Sequence, residues 1–303
     1  MIRLRHFQLR VAGRQSAIGW LPPVFDDSDG APQHLKSVAL YGMSFKFRSP
    51  ALRGLNSLTL GYLPREMSAP TFADFREVLI MSPRLTHLKL VGVFPQLSEH
   101  LASCELALPR LRTLELVMKQ DTAYVPLFFE VLAAPQLEEL AFESKWSVTW
   151  EGFEAAVSLM GEKFEDLRVL HLTLADVFEF QDQGTTIELF SAFPLLREFS
   201  LNVLEDEQAM YFLRTWISTL GAGPEDPFAD PDTPAPYTEV WPFLELLTVR
   251  APYDDTSGLD PESSSISETL ELLGSLRLSL SQPFDVWQES IFSHYTIDAL
   301  DTA

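Results

Sequence analysis

The stretch SPRLTHLKLVGV, from Ser82 to Val93, and the stretch LPRLRTLELV, from Leu108 to Val117, share one pattern. In both, a leucine follows two positions after a proline, and further leucines stand three and five positions after that first leucine. Side chains alternate between the two faces of a β-strand, so leucines two positions apart lie on the same face. The pattern therefore predicts a short strand with one apolar and one polar face, repeated along the chain.

The unit Leu-x-x-Leu-x-Leu recurs from one end of the chain to the other. Chance predicts about one strict copy in a chain of this length and leucine content. The five strict copies are an excess, and they begin at Leu55, Leu85, Leu111, Leu167 and Leu273. Copies in which another apolar residue replaces one leucine begin at Leu4, Leu35, Leu137, Leu196 and Leu244. The copies together predict about nine to ten repeats of irregular length.

The segments between these strands contain prolines at a fixed position and apolar residues with helical spacing. Proline stands two positions before the first leucine of five copies, at Pro83, Pro109, Pro135, Pro194 and Pro242. Proline lacks an N–H and disfavours helix in the residue before it, so each is expected to end a helix and lead into a strand. Apolar residues at steps of three and four predict these helices at 73–82, 97–108, 125–134, 150–164, 187–193 and 206–220.

The repeated strand-plus-helix unit resembles the leucine-rich repeat over essentially the full chain. The resemblance implies an α/β fold, a leucine-rich-repeat solenoid in which parallel strands line the concave face of a curved horseshoe and helices cover the convex face. The phrases SPRLTHLKL and FPLLREFSL, the proline-started strands and the acidic insertions are also similar to the repeat region of fungal F-box/leucine-rich-repeat proteins.

The chain is expected to form a single solenoid domain over residues 1–303. Residues 221–240 are rich in proline and acidic residues and predict a disordered insertion, and residues 252–265 predict an acidic loop. Residues 284–303 are interpreted as a C-terminal helix and tail.

Charge and cysteine content restrict the setting and the partners. The chain has 303 residues and a net charge of -21. Its single cysteine excludes a disulfide framework, which favours a reducing, cytoplasmic or nuclear location. Residues 1–120 carry 15 Lys and Arg against 9 Asp and Glu, whereas residues 121–303 carry 7 against 34. The acidic part is expected to repel nucleic acid and anionic membranes, and the first part could accept an acidic partner. No apolar run is long enough for a membrane span.

No motif for phosphate binding, dinucleotide binding, a serine nucleophile or a zinc protease occurs in the chain. His100 and Cys104 stand one helical turn apart, but a buried cysteine beside a surface histidine explains them more simply than a metal or thiol pair. Neither enzymatic activity, nor a cofactor, nor a metal is therefore expected.

Strand alternation selects a set of residues for the concave face, where a protein partner is expected to bind. The histidines among them are too far apart to share one metal ion, because strands lie about 4.8 Å apart. They are either partner contacts or part of a polar solvated face. The set is His6, Arg10, Tyr41, His87, Lys89, Glu115, Glu139 and His171.

The F-box resemblance implies the substrate-recognition region of a ubiquitin ligase receptor. The F-box itself is not seen in this chain, so Skp1 and cullin are expected as partners only if an F-box lies upstream. The alternative is a stand-alone scaffold or inhibitor unrelated to ubiquitin, which also binds a protein and is not catalytic.

Overall fold

A computed structural model describes residues 5–10, 35–42, 52–61, 71–92, 105–118, 124–144, 150–174, 183–203, 208–209, 211–213, 215–216, 241, 243–250, 284–289 and 294–299. The chain divides into two compact units, unit 1 from Met1 to Trp146 and unit 2 from Ser147 to Ala303. The predicted insertion at 221–240, the acidic loop at 252–265, the copy at Leu273 and the pair His100 and Cys104 lie outside the described residues. The single solenoid domain stays a prediction.

Unit 1 contains an open parallel sheet whose six strands follow one another in chain order. Each strand begins two residues after the first leucine of a copy, which confirms six of the predicted strands. The strands are β1 (His6–Arg10), β2 (Ser37–Tyr41), β3 (Ser57–Gly61), β4 (His87–Val91), β6 (Thr113–Met118) and β8 (Glu139–Ser144).

Two helices lie in the connections of unit 1 that the structure describes. Helix α1 (Phe72–Ile80) joins β3 to β4 and confirms the predicted helix at 73–82. Its N-cap is Thr71, whose hydroxyl accepts a hydrogen bond from the N–H of Asp74 at 3.2 Å. Helix α2 (Tyr124–Val131) precedes β8.

Two predicted helix ends in unit 1 are wrong, because their last residues form short strands. Leu106–Ala107 forms β5, and Leu132–Ala133 forms β7, which pairs with β5 in parallel. Leu106 and Leu108 are buried while Ala107 between them is exposed, and this period of two belongs to a strand. The helix predicted over 97–108 is therefore not continued through residues 105–108, and α2 ends before residue 134.

The leucines of each copy form the core. In β4, Leu88 and Leu90 are 1% and 0% exposed, whereas His87 is exposed and Lys89 is half-buried. The same alternation holds in β2, β6 and β8. Burying a leucine side chain contributes about 1.5–3 kcal/mol, so these rows of leucines dominate the stability of unit 1.

The residues before β4, β6 and β8 form a hydrogen-bonded β-turn rather than a simple helix end. The N–H of Leu85 donates to the carbonyl of Ser82 at 2.9 Å, and the N–H of Leu111 donates to the carbonyl of Leu108 at 3.1 Å. Pro83 and Pro109 occupy the second position of these turns, where their fixed φ is favourable. The recurring proline therefore shapes a turn, in addition to disfavouring helix in the residue before it.

Ser82 ties two successive turns together inside unit 1. Its buried hydroxyl donates to the carbonyl of Leu52 at 3.1 Å and accepts from the N–H of Leu55 at 3.3 Å. The N–H of Gly54, which has a positive φ of 68°, donates to the carbonyl of Met81 at 2.9 Å. The side chain and backbone of one repeat thus complete the turn of the repeat before it.

One carbonyl at the start of each repeat accepts two hydrogen bonds from the next repeat. The carbonyl of Thr86 accepts from the N–H groups of Arg112 and Thr113 at 2.9 and 3.0 Å. Arg5, Lys36, Asn56 and Arg112 make the same double contact in unit 1, as do Arg168 and Arg197 in unit 2.

Unit 2 has the same local plan with fewer strands. Its parallel strands β9 (Val169–Leu174), β10 (Glu198–Val203) and β11 (Leu246–Arg250) each begin two residues after a copy's first leucine. Helices α3 (Trp150–Lys163) and α4 (Gln183–Ala192) confirm the predictions at 150–164 and 187–193. The two helices pack closely at Gly161, where an added Cβ would lie only 2.8 Å from the Cβ of Ala192.

The predicted C-terminal helix is wrong. Strand β12 (Phe284–Glu289) pairs antiparallel with β13 (His294–Ala299), and β13 pairs antiparallel with β11. Both segments are rich in aromatic and β-branched residues, which favour strands over helices.

Candidate protein-interaction surface

The strands of unit 1 turn one continuous side away from their leucines. This side, called the polar face, is formed by the first, third and fifth residues of each strand. The predicted residues His6, Tyr41, His87, Lys89, Glu115 and Glu139 all lie on it, exposed or half-buried. Arg10 stands at the fifth position of β1, although its side chain is not described. His171 is the third residue of β9 in unit 2, which is the position that Lys89 has in β4.

Lys89 and Glu115 form the central contact of the polar face. They are opposite each other on neighbouring strands β4 and β6, where the ammonium of Lys89 donates a hydrogen bond to Oε2 of Glu115. This hydrogen bond is the largest of the effects that raise the pKa of Lys89 above 10.5, and the charges of Glu115, Tyr41 and Glu143 add to it. Burial acts in the opposite direction. Lys89 therefore stays protonated at neutral pH.

The carboxylates of the polar face are concentrated on its last two strands. Glu139 lies beside Thr113, whose hydroxyl donates to Oε2 of Glu139 at 3.2 Å. Glu143 lies further along the same strand, β8, and Glu115 lies on β6. The opposite end of the sheet carries His6 and Gln8 instead. The polar face is thus acidic on the β6–β8 side, and its charge changes across the sheet.

The hydroxyl of Thr86, which precedes β4, contacts His87 of the polar face. Its oxygen lies 3.0 Å from the carbonyl oxygen of Asn56 and 2.8 Å from Nδ1 of His87. Which group donates in the second contact depends on the tautomer of His87. The contact defines the position of the His87 ring on the polar face.

Sequence reasoning missed Gly61, which seats the ring of Tyr41. The two residues are neighbours in register on β2 and β3, and a Cβ added at Gly61 would lie 2.3 Å from Cδ1 of Tyr41. The signal was present in the sequence, since the equivalent positions of β4 and β6 hold Val91 and Val117. A glycine in a strand often marks the close approach of another group.

The polar residues of unit 2 have a different chemistry. Asn202 of β10 donates its side-chain N–H to the hydroxyl of Thr173 on β9 at 3.0 Å. Ser200 and Thr248 stand beside His171 along the central positions of β9 to β11. His171 and two hydroxyl residues thus occupy the third position of the strands, where β4 and β6 of unit 1 place Lys89 and Glu115.

The polar face contains no arrangement that identifies a reaction. His6 and His87 are separated by β2 and β3, which places their strands about 14 Å apart. Among the described residues, no group of three His, Cys, Asp or Glu side chains is arranged to hold a metal ion. The geometry is suited to contact with another molecule through hydrogen bonds and charges.

Comparisons with known proteins add little to this description. No protein-family model and no curated protein matches the chain. A crystal structure of a Bacteroides fragilis protein is similar at 18% identity, with a TM-score of 0.43 over 62% of this chain and 57% of that one. The aligned part is therefore less than two thirds of the length of that protein. No helix among the described residues is long and apolar enough to cross a membrane.

Proposed function

We propose that this chain is a non-catalytic protein-interaction module that binds a partner protein on the polar face of unit 1. The observation that carries the proposal is the Lys89–Glu115 pair, centred on an open sheet whose other polar side chains are held in register. A partner that approaches such a face meets preorganised donors and acceptors, which lowers the entropic cost of binding.

The finer proposal concerns the fold family and the pathway. The chain is a leucine-rich-repeat solenoid that serves as the substrate-recognition region of an F-box-type ubiquitin ligase receptor. It is supported by the sequence resemblance and by three features that recur along the chain. These are the β-turn, the strand that follows it, and the carbonyl that accepts two hydrogen bonds from the next repeat. The alternative is a scaffold or inhibitor unrelated to ubiquitin, which the same surface would serve equally well.

A capture experiment with matched variants tests the polar face. The tagged chain is expressed in its source cells as wild type, as Lys89→Gln and as Arg76→Gln, and captured proteins are quantified. Arg76 is an exposed cation on α1, away from the polar face, so its variant removes the same charge. Partners on the polar face should be lost with Lys89→Gln and retained with Arg76→Gln. Equal recovery with both variants would refute the polar face as the binding site.

A separate experiment tests the link to ubiquitin. The full-length gene product is purified from its source cells, and Skp1 and cullin are quantified in the eluate. Their stoichiometric recovery supports the ligase receptor. If the polar-face partners are recovered without Skp1, the scaffold or inhibitor is the better description.

A further inference from the structure

Five basic side chains that the structure describes in unit 1 make no ion pair or hydrogen bond, and they lie together at one edge of its sheet. Arg112 is paired with Glu138 at 3.5 Å, Lys89 is paired with Glu115, and Arg76 donates to the carbonyl of Glu105. Among the described side chains of unit 1, the remaining Lys and Arg make no ion pair or hydrogen bond. These five residues, called the basic rim, are Arg5, Lys36, Arg53, Arg84 and Arg110.

Strand direction explains why the five cations share one edge. Each precedes the first residue of its strand by one to four positions, and all strands of the sheet are parallel. Four of the five are exposed and Lys36 is half-buried. The β-turns fix the backbone at Arg84 and Arg110, each of which follows the proline of its turn. The basic rim is therefore presented by a rigid backbone.

The spacing of the rim brings like charges close to each other. Arg84 and Arg110 hold the same position in the turns that precede β4 and β6. These two strands are neighbours and lie about 4.8 Å apart. Like charges on adjacent strands are destabilising, and no described carboxylate neutralises this pair. An anionic partner would remove the repulsion and gain up to five charge contacts.

We infer that the basic rim binds an extended acidic segment of another protein, laid across the strand starts from β1 to β6. These five strands span about 19 Å, the length of about six extended residues. The rim is distinct from the polar face, so this inference does not rest on the proposed function.

A peptide fits this rim better than a nucleic acid does. The chain has a net charge of -21, which repels a long phosphate polymer, whereas a short segment can contact the rim within one Debye length. Single-stranded nucleic acid is commonly bound by basic grooves lined with aromatic side chains. The described turns that carry Arg53, Arg84 and Arg110, at residues 52–55, 82–85 and 108–111, include no Phe, Tyr or Trp.

Peptide binding to the purified full chain tests the inference. A fluorescein-labelled peptide of about twelve residues that alternates Glu and Gly is titrated by anisotropy, with the Gln–Gly peptide as the neutral control. The Glu peptide should bind, and salt should weaken its binding between about 50 and 300 mM NaCl. The Gln–Gly peptide should not bind.

The rim is tested by removing two of its charges. Arg84→Gln with Arg110→Gln should lower the affinity for the Glu peptide about tenfold. The control pair Arg76→Gln with Lys163→Gln removes the same charge from helices α1 and α3 and should change the affinity less than about twofold. Thermal unfolding of each variant verifies that it is folded.

Three results would overturn the inference. The first is no binding of the Glu peptide by the folded wild type, and the second is an equal loss of affinity in both variant pairs. The third is tighter binding of a labelled oligouridine that is lost in the rim variant, which would identify a nucleic-acid site instead.

Discussion

The same β-turn leads into β4, β6 and β8 of unit 1 and into β9, β10 and β11 of unit 2, but its side chains differ. Its buried first position holds small or aliphatic residues in unit 1, namely Ser82, Leu108 and Ala134, and aromatic residues in unit 2, namely Phe164, Phe193 and Trp241. Its third position holds Arg84, Arg110 and Gln136 in unit 1, and Asp166, Leu195 and Phe243 in unit 2.

The difference shows which parts of the repeat the backbone requires. The hydrogen bond from the fourth to the first residue of the turn uses only main-chain atoms, so it is kept with any side chain. The residue at the buried first position can therefore vary in size, and the residue at the exposed third position can vary in charge. In unit 2 the aromatic choice builds a cluster in which Trp241 lies 4.9 Å, between ring centroids, from both Phe190 and Phe199.

The largest expected effect comes from removing an aromatic first residue in unit 2. Phe193 is 1% exposed, so Phe193→Ala should lower the free energy of unfolding by about 3–5 kcal/mol. Leu195→Ala in the same turn is the control, because Leu195 is 38% exposed and should cost less than about 1 kcal/mol. Urea unfolding followed by circular dichroism measures both. Equal losses would mean that the first position is not the one that anchors the turn.

A smaller loss is expected at the equivalent position of unit 1. Ser82→Ala leaves the carbonyl of Leu52 and the N–H of Leu55 without their buried partner, which should cost about 1–3 kcal/mol. The small side chain stabilises through hydrogen bonds where Phe193 stabilises through burial. Ser57→Ala on the polar face, measured in the same urea titration, should cost less than about 0.5 kcal/mol. A loss at Ser82 no larger than that at Ser57 would contradict the role of the hydroxyl.

The Lys89–Glu115 pair predicts a pH dependence specific to unit 1. The folded-state pKa of Lys89 lies above 10.5, so the stability from its protonated form is fully present below that pH. It is lost as the pH rises through the raised pKa. The difference in unfolding free energy between wild type and Lys89→Gln, at most about 1 kcal/mol, should thus be constant at neutral pH and fall as the pH rises above 10.5. A difference that does not change with pH would refute this.

The smallest expected effect is a gain in stability at the basic rim. Arg110→Gln relieves repulsion with Arg84 and should raise the free energy of unfolding by a few tenths of a kcal/mol, about 0.2–0.5. The reverse change at the unit 2 turn, Leu195→Arg, places a cation beside Asp166 of the turn before β9, so it should gain an attraction and no repulsion. Calorimetry at low salt, where screening is weakest, measures the shift. A destabilised Arg110→Gln would show that the rim arginines contribute to folding.

The strands could be predicted from the sequence and some connections could not. Among the described residues, the leucine spacing specified the nine strands that begin two residues after a copy's first leucine, but not β5 and β7, because burial on one face of a strand requires a period of two. The segment before Leu108 was misassigned because its apolar residues match a helical period as well as the alternation of β5. The strands β12 and β13 were missed because they depend on antiparallel pairing with each other and with β11, which the leucine spacing does not specify.

The candidate surface was only partly predictable, for a similar reason. Alternation placed His87, Lys89 and Glu115 on the polar face, but the contact between Lys89 and Glu115 needs the register of β4 and β6. The seat of Tyr41 on Gly61 needs the register of β2 and β3. The basic rim depends on the parallel direction of the strands, because Arg5, Lys36 and Arg53 do not share the Pro-Arg-Leu pattern of Arg84 and Arg110.

The carbonyls that accept two hydrogen bonds link successive repeats in one direction along the chain. In every described case the earlier repeat supplies the acceptor and the later repeat supplies the two N–H donors. Strand order in unit 1 also follows chain order, so each repeat leaving the ribosome meets a neighbour that has already been synthesised. Nucleation at the N-terminal repeats followed by stepwise addition needs only short loop closures. The chain can thus assemble in the order in which it is translated.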